Sequence, residues 1–117
     1  MAVTEAPVRQ ATGDASFPSP SFDCARARSR SEKIICSDAD LARMDRELGR
    51  LHARARNSSP DPAAFRRHND QEWRNRESTC RDRECLLRWY EHRREQLLND
   101  IEQAPGRNQP AAYRWVR

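Results

Sequence analysis

Four cysteines in a short, polar chain constrain the fold more than any other feature of this sequence. Of the 117 residues, 36% are hydrophobic and 34% are charged, so little apolar surface is available for a core. Small domains of this kind commonly compensate with disulfide bonds, and an even number of cysteines fits that solution. The sequence therefore predicts a single small domain that two disulfides hold together.

The positions of Cys24, Cys36, Cys80 and Cys85 favour disulfides over a metal site. Cysteine ligands of zinc are usually about two residues apart. Here the gaps are eleven and four residues, and no histidine lies in a ligand-like pair. With three glycines, the chain also has no Gly-rich loop for a nucleotide phosphate. We expect neither a metal nor a cofactor.

Disulfides indicate an oxidising compartment, which means the periplasm, the cell surface or the secreted fraction. The first residues, Met1 to Pro7, have neither the basic start nor the apolar stretch of a signal peptide. We therefore expect the mature form of an exported protein, with its signal peptide removed. No run approaches the roughly 20 apolar residues of a membrane-spanning helix, so no transmembrane segment is expected.

Arginine dominates the positive charge of the chain. The net charge is +4, from 22 basic and 18 acidic residues, and every basic residue except Lys33 is arginine. Acids and arginines are interleaved along the sequence, which is typical of a solvated, salt-bridged surface. A nucleic-acid site would concentrate its arginines on one face, so nucleic acid is disfavoured as a partner.

Proline and apolar content divide the chain into three parts. Residues 1–20 contain three prolines and few apolar residues, which predicts a disordered leader. Residues 21–103 contain the cysteines and the helical patterns, and they form the predicted domain. Residues 104–117 contain two prolines and a glycine, which predicts a flexible tail, and this tail includes Tyr113 and Trp115.

Apolar spacing and capping residues predict three helices. Ser37 and Asp40 resemble a capping box, and the apolar residues after them recur at spacings of three and four, which predicts a helix over 39–56. The second helix begins at Asp61-Pro62, an N-cap acid followed by proline. Its thin stripe runs through Phe65, Asn69, Trp73 and Arg76. The third begins near Asp82 and carries Leu86, Tyr90, Leu97 and Ile101.

No alternating strand pattern is present, so the predicted fold is all-α, a small antiparallel three-helix bundle stapled by two disulfides. Antiparallel helices would bring all four cysteines to one end of the bundle, where three pairings remain open. Pairing between cysteines that are near in sequence, Cys24 with Cys36 and Cys80 with Cys85, requires no assumption about the handedness of the bundle. We therefore favour this local closure over crossed pairing. Because the core is thin, the disulfides are expected to be essential to the folded state.

A series of short motifs, in a fixed order, points to a known family. The motifs are Ser21-Phe22-Asp23-Cys24; Glu32-Lys33-Ile34-Ile35-Cys36-Ser37-Asp38; Leu41, Met44-Asp45 and Leu48; Gln71, Trp73, Arg76 and Cys80; and Cys85-Leu86, Tyr90, Arg93 and Leu97. Together they cover about 80 of the 117 residues, and the chain resembles the lysozyme-inhibitor LprI-like family. The resemblance implies a small helical domain of an exported bacterial envelope protein, with disulfide-bonded cysteines. The family takes its name from inhibition of lysozyme by one member.

The sequence departs from the family pattern at two positions. Arg74 stands where an aliphatic residue usually follows the tryptophan, and Arg94 stands where an isoleucine often follows the arginine of the third helix. Both changes make a small core smaller. The second also favours an arginine-rich face.

Several polar residues of the motifs fall on inward-facing positions of the predicted helices, namely Asp45, Gln71, Arg76 and Arg93. We expect an ion lattice in which Asp45, together with Glu32, accepts hydrogen bonds from the two arginines. A carboxylate between guanidiniums is satisfied, and it fixes helix register more than it adds stability. The alternative interpretation is a recognition or catalytic cluster.

The candidate residues argue against an enzyme. Acids in ion pairs are stabilised in their charged form, whereas a general acid needs the opposite pKa shift. No histidine neighbours Ser21, Ser31 or Ser37, and disulfide-bonded cysteines are not nucleophiles. A bundle of this size also leaves no room for an enclosed pocket of several hundred Å³. We expect a non-enzymatic, monomeric binding module with no catalytic residues.

Two kinds of partner remain. The resemblance implies lysozyme, but vertebrate lysozymes are basic and so is this chain, so a local acidic surface is needed for attraction. The candidates are Glu91, Glu95 and Glu102 on one face of the third helix. The alternative is a surface-exposed or secreted envelope or host-interaction protein that binds a protein or an anionic polymer without inhibiting lysozyme, with Arg74 and Arg94 as candidate contacts.

Overall fold

The computed structural model describes residues 17–104, and all regular secondary structure within that range is helical. A short 3-10 helix, Cys24–Arg26, precedes four α-helices: α1 (Arg30–Cys36), α2 (Ala39–Ser58), α3 (Pro62–Thr79) and α4 (Arg83–Gln103). The all-α prediction is confirmed, but the predicted number of helices is wrong. The three predicted helices are α2, α3 and α4. The expectations for the leader and the tail, including Tyr113 and Trp115, lie outside the described residues except at 17–20 and 104.

The additional helix, α1, begins at a capping box formed by Ser29 and Glu32, which the sequence did not predict. Ser29 Oγ accepts from the backbone N–H of Glu32 at 3.0 Å, and Glu32 Oε1 accepts from the backbone N–H of Ser29 at 3.2 Å. Ser37, the predicted start of a capping box, is instead the C-cap of α1. The N-cap of α2 is Asp38, which accepts from the backbone N–H of Leu41 at 3.1 Å.

The starts of α3 and α4 agree with the sequence. Asp61 caps α3 by accepting from the backbone N–H of Ala64 at 3.1 Å, and Pro62 occupies its first turn. Asp82 caps α4 by accepting from the backbone N–H of Cys85 at 2.9 Å. Carboxylates at these positions satisfy backbone N–H groups that have no partner within the helix. None of the helices in residues 17–104 is both long enough and apolar enough to span a membrane.

The apolar core lies mainly between α2 and α4. Leu41 and Leu48 of α2 are buried against Leu86 and Leu97 of α4, and Ile35 of α1 closes one end of the same cluster. The buried residues of α3 are only Phe65 and Arg76. In agreement with the thin apolar stripe predicted for it, α3 contributes one large apolar side chain to the core.

Both disulfides lie at the same end of the bundle. Cys24 is bonded to Cys36 and Cys80 to Cys85, which is the pairing that local closure favours. Ser31 of α1 donates to the carbonyl of Cys80 at 3.4 Å, and this contact brings α1 against the junction of α3 and α4. The first disulfide closes the N-terminal segment onto α1, and the second ties α3 to α4.

The segment before α1 crosses the outside of α2 at Gly49. A Cβ atom at this glycine would lie 3.0 Å from the Cβ of Ser21, which is tighter than ordinary contact. The glycine therefore allows the segment to approach the helix backbone closely. Phe22, the next residue, packs against the core. This crossing places Ser21 above Asp45, which lies one turn earlier on α2.

Candidate functional site

A buried carboxylate, Asp45, is at the centre of the polar groups in the core. Its side chain is 1% exposed. Ser21 donates to Oδ2 from its backbone N–H at 2.7 Å and from its hydroxyl at 2.6 Å. Tyr90 donates from its hydroxyl to Oδ1 at 2.7 Å, and Arg76 Nη1 lies 4.0 Å from the same oxygen. Both carboxylate oxygens are therefore satisfied, and the charge is held in place.

Arg76 connects this carboxylate to α3. Its guanidinium, also 1% exposed, donates to the Tyr90 hydroxyl at 3.1 Å and to Glu77 Oε2 at 2.7 and 2.9 Å. The rings of Trp73 and Trp89 lie 4.0 and 5.4 Å from its central carbon, within range for cation–π attraction. Burial, followed by the charge of Asp45, raises the pKa of Tyr90, so the phenol keeps the proton that it donates.

The structure brings Asp45 and Arg76 together, but at 4.0 Å and linked through the Tyr90 hydroxyl instead of by the predicted direct hydrogen bond, and the prediction for Arg93 is wrong. Arg93 is 1% exposed, but its guanidinium donates to two neutral amides, Asn69 Oδ1 at 3.1 Å and Gln96 Oε1 at 3.2 Å. No carboxylate among the described residues lies within 4.0 Å of it. Burial lowers the pKa of Arg93, opposed by the charges of Glu72 and Asp100. Its guanidinium contacts Asn69 of α3 instead of Asp45.

The other two lattice candidates lie outside the network. Glu32 Oε1 accepts from the backbone N–H of Arg28 at 2.8 Å as part of the α1 capping box. This hydrogen bond lowers the pKa of the Glu32 carboxyl, and the charge of Arg76 contributes to the shift through space. Gln71 is exposed on the outer face of α3. Neither residue accepts a hydrogen bond from Arg76 or Arg93.

A hollow of about 200 Å³ opens beside the buried charges. Its lining includes Ser21 of the N-terminal segment, Asp45 and His52 of α2, and Asn69 and Trp73 of α3. Two larger hollows, of about 400 and 650 Å³, lie towards the end of the bundle away from the disulfides. Both are open hollows, whereas the prediction concerned an enclosed pocket of several hundred Å³.

The acidic candidates lie on the outer surface of α4. Glu91, Glu95 and Glu102 are all exposed, and we refer to them as the acidic surface. Within residues 17–104, Glu91 and Glu95 have no basic side chain within 4.0 Å. Glu95 and Glu102 line the hollow of about 650 Å³ together with Leu98 and Arg54.

Surface ion pairs are fewer than the mixed charges of the sequence suggest. The pairs between exposed arginines and acids within residues 17–104 are Arg26–Asp23, Arg43–Asp40, Arg83–Asp38 and Arg83–Asp40. Arg74 and Arg94, the two arginines that the sequence analysis gives as candidate contacts, are exposed and lie in no such pair. Most of the positive charge therefore remains available to a partner.

The residues that sequence reasoning missed are the neutral members of the network. From the sequence, Ser21 is a motif residue with no neighbouring histidine, Asn69 belongs to the stripe of α3, and Tyr90 belongs to a motif and to the stripe of α4. Their side chains satisfy the buried charges, and nothing in a single sequence separates that role from core packing. Among the described residues, no group of histidines, cysteines and acids is arranged to hold a metal ion.

Comparison with known proteins gives no relative for this chain. No family model, no curated protein and no solved structure matches it.

Proposed function

We propose that this protein is a non-enzymatic, extracytoplasmic binding module that inhibits a lysozyme. The two disulfides support an oxidising compartment, since such bonds are rare in the cytosol. The polar groups of the core support binding rather than catalysis. All four cysteines are paired, the Ser21 hydroxyl is engaged with Asp45, and the pKa of Tyr90 is raised.

The acidic surface of α4 is the observation that favours a basic partner. Glu91 and Glu95 lie one helical turn apart, so their carboxylates project from the same face. No basic residue occupies the last turn of α4, where the helix dipole places partial negative charge. Leu98, half-buried between Glu95 and Glu102, provides apolar surface at the same place. A basic enzyme could bind this surface through attraction to the glutamates and through apolar contact with Leu98.

A titration of the protein into hen and human lysozyme tests this proposal. The rate of clearance of cell-wall suspensions should fall with a stoichiometric endpoint at both about 50 and about 200 mM salt, because an interface with an apolar part is only partly screened. Glu95→Gln should weaken inhibition by about tenfold, while the matched change Asp70→Asn on the exposed face of α3 should leave it unchanged. Clearance at an unaltered rate in excess protein would reject lysozyme as the target.

The exposed arginines favour a second candidate, binding of an anionic polymer at the cell surface. Arg74 and Arg94 have no carboxylate partner among the described residues, so their charge is available to phosphates or sulfates. Binding to heparin should then weaken steeply as salt rises, because counterions are released. Arg74→Gln should reduce that salt dependence, whereas Arg43→Gln, which removes an arginine already paired with Asp40, should change it less.

A further inference from the structure

The hollow beside Asp45 has the lining of a small polar ligand site. It measures about 200 Å³ and lies between the N-terminal segment, α2 and α3. Leu48 and Leu97 supply apolar surface, and both belong to the buried core. The remaining lining includes Ser21, His52 and Asn69, all of which can form hydrogen bonds.

Arg93 fixes how Asn69 presents its amide. The guanidinium donates to Asn69 Oδ1 at 3.1 Å, so the oxygen of the amide is directed towards Arg93. The Nδ2 group, on the other side of the same planar amide, makes no hydrogen bond with any described residue. Because Arg93 is buried behind it, Asn69 offers two oriented N–H donors at the wall of the hollow.

His52 adds a neutral donor and acceptor. Its ring packs against Phe65 with centroids 5.2 Å apart, and neither ring nitrogen hydrogen-bonds to a described residue. Burial lowers the pKa of His52, and the positive charges of Arg93 and Arg56 act in the same direction. The imidazole is therefore uncharged at neutral pH, with one nitrogen donating and the other accepting.

The charges around the hollow favour an uncharged ligand. Asp45 lines it, but Ser21, Tyr90 and Arg76 already neutralise or satisfy that carboxylate. The negative charge of Asp45 would repel an anion, and the positive charge of Arg93, behind Asn69, would repel a cation. Trp73 of the lining is 36% exposed, which leaves indole surface available beside the polar groups.

We propose that this hollow binds a single uncharged sugar ring, either a terminal residue or one unit of a longer glycan. A pyranose ring carries hydroxyl or acetamido groups for Asn69 and His52, and it also has a face of C–H groups for the indole of Trp73. The volume accommodates one ring, and further units would extend past Trp73 into solvent. This site lies apart from the acidic surface of α4, so it does not depend on the proposed inhibition of lysozyme.

Titration of the full chain with glucose and with N-acetylglucosamine, followed by ¹H–¹⁵N spectra, tests the proposal. Binding should shift the Asn69 side-chain amide and the Trp73 indole N–H, with a Kd in the millimolar range that is typical of few hydrogen bonds. Acetate and inorganic phosphate, the charged probes, should cause no shift at these groups. An anion that competes with the sugars for the site would overturn the assignment to an uncharged ligand.

Asn69→Asp is the sharpest variant because it removes the two amide N–H donors and still leaves an oxygen beside Arg93, although it adds a negative charge. It keeps an oxygen for Arg93 and removes both N–H donors, so sugar affinity should fall by about three- to tenfold. Asn75→Asp makes the same chemical change at an exposed position of α3 and should have no effect. His52→Phe, which keeps the aromatic contact with Phe65, should also weaken binding.

Three outcomes would reject the sugar site. One is the absence of any shift with either sugar up to about 20 mM, well above the Kd expected for so few hydrogen bonds. Another is equal affinity of Asn69→Asp and Asn75→Asp. The third is a set of shifts confined to Glu91, Glu95 and their neighbours on α4, which would place the sugar elsewhere. Circular dichroism of each variant confirms that the helices are retained.

Discussion

The interface between α2 and α4 and the interface that α3 makes with both helices are built from different kinds of contact. Between α2 and α4, most of the contact is a run of buried apolar residues from Leu41 and Leu86 to Ala55 and Ile101, crossed at one place by the hydrogen bond from Tyr90 to Asp45. On the α3 side, Phe65 is the buried apolar residue and Trp73 contacts the ring of Trp89, with ring centroids 5.5 Å apart, and polar contacts accompany them. The polar contacts include Arg76 with Tyr90, Asn69 with Arg93, and the indole N–H of Trp89 with the carbonyl of Glu72 at 3.1 Å.

This difference determines how each interface responds to change. Apolar contacts have no preferred direction, so a core of leucines tolerates small displacements and similar side chains. A buried guanidinium needs its partners at the right distance and angle, and removing one partner exposes the desolvation penalty of the other. We therefore expect α3 to be the helix whose docking depends on single residues, on pH and on the disulfide beside it.

Asp45→Asn is expected to have the largest effect on the α3 side. The asparagine has one oxygen in place of two, so it cannot accept from both Ser21 and Tyr90 in the observed geometry, and it leaves Arg76 with less compensating charge. Breaking a buried charge pair typically lowers the free energy of unfolding by about 3–5 kcal/mol. Urea unfolding followed by circular dichroism measures the loss.

Asp40→Asn is the matched control for this change. Asp40 also pairs with arginines, at 3.1 Å from Arg43 and 2.8 Å from Arg83, but all three side chains are substantially exposed. Exposed ion pairs contribute about 1 kcal/mol or less. If the two variants lose the same free energy of unfolding, the buried network on the α3 side does not have the importance that its geometry suggests.

Removal of the Cys80–Cys85 disulfide should loosen α3 while leaving α2 and α4 paired. Chain-entropy arguments give about 2 kcal/mol for this short loop and about 3 kcal/mol for the loop closed by Cys24–Cys36. Hydrogen exchange of the Cys80→Ser/Cys85→Ser variant should show loss of protection in α3, with the central amides of α2 and α4 still protected. Uniform loss of protection over all helices would mean that the two interfaces unfold as one unit.

The elements that sequence predicted well are those whose signal is local. Asp61-Pro62 and Asp82 mark the starts of α3 and α4 because an N-cap acid acts within its own first turn. The apolar residues of α2 and α4 recur at helical spacing because both helices bury one face. Even the pairing of Cys80 with Cys85 follows from their closeness in the chain.

What sequence missed is one short helix and the contacts between distant segments. The helix α1 is seven residues long, too short to show a repeating stripe, although its capping box at Ser29 and Glu32 is a local signal. The partners of Arg93 are the neutral residues Asn69 and Gln96, whereas charge alone favoured Asp45. The rotation of α4 about its own axis determines whether Arg93 reaches these amides or Asp45. No spacing rule fixes that rotation relative to α3.

Asn69→Asp should stabilise the α3 side, in contrast to Asp45→Asn. It places a carboxylate where Arg93 now donates to a neutral oxygen, and a charge-assisted hydrogen bond is about twice as strong as a neutral one. The expected gain in the free energy of unfolding is about 1 kcal/mol at pH 7. Arg93 should lower the pKa of the new carboxyl, so the gain should persist above the ordinary aspartate pKa, about 3.9, and disappear as pH falls below it.

The control for Asn69→Asp is again Asn75→Asp, which adds the same charge at an exposed site. Thermal unfolding at pH 7 and pH 3 separates the two variants, because only the carboxylate beside Arg93 should raise the melting temperature at the higher pH. Destabilisation at pH 7 would show that desolvation of the new carboxylate exceeds its attraction to Arg93.

His52 should give the smallest effect, a loss of stability on acidification. Burial lowers the pKa of His52 in the folded state, and the charge of Arg93 contributes next. Its pKa in the unfolded chain is near the ordinary value of 6.5. The contribution of His52 to the free energy of unfolding is therefore complete above pH 6.5. It is lost as pH falls, because His52 takes up a proton in the unfolded chain at a higher pH than in the folded protein.

Comparison of the wild type with His52→Phe between pH 7.5 and 5 measures this contribution, since the phenylalanine keeps the contact with Phe65 and cannot titrate. The free energy of unfolding of the wild type should decline relative to that of the variant as pH falls, and parallel curves would contradict the assignment.

Introducing Asn69→Asp should also raise the pKa of His52, measured from its ring protons, because the new carboxylate offsets the charge of Arg93. A pKa that does not change would mean that burial alone sets it, and that Arg93 and His52 act independently on the α3 side.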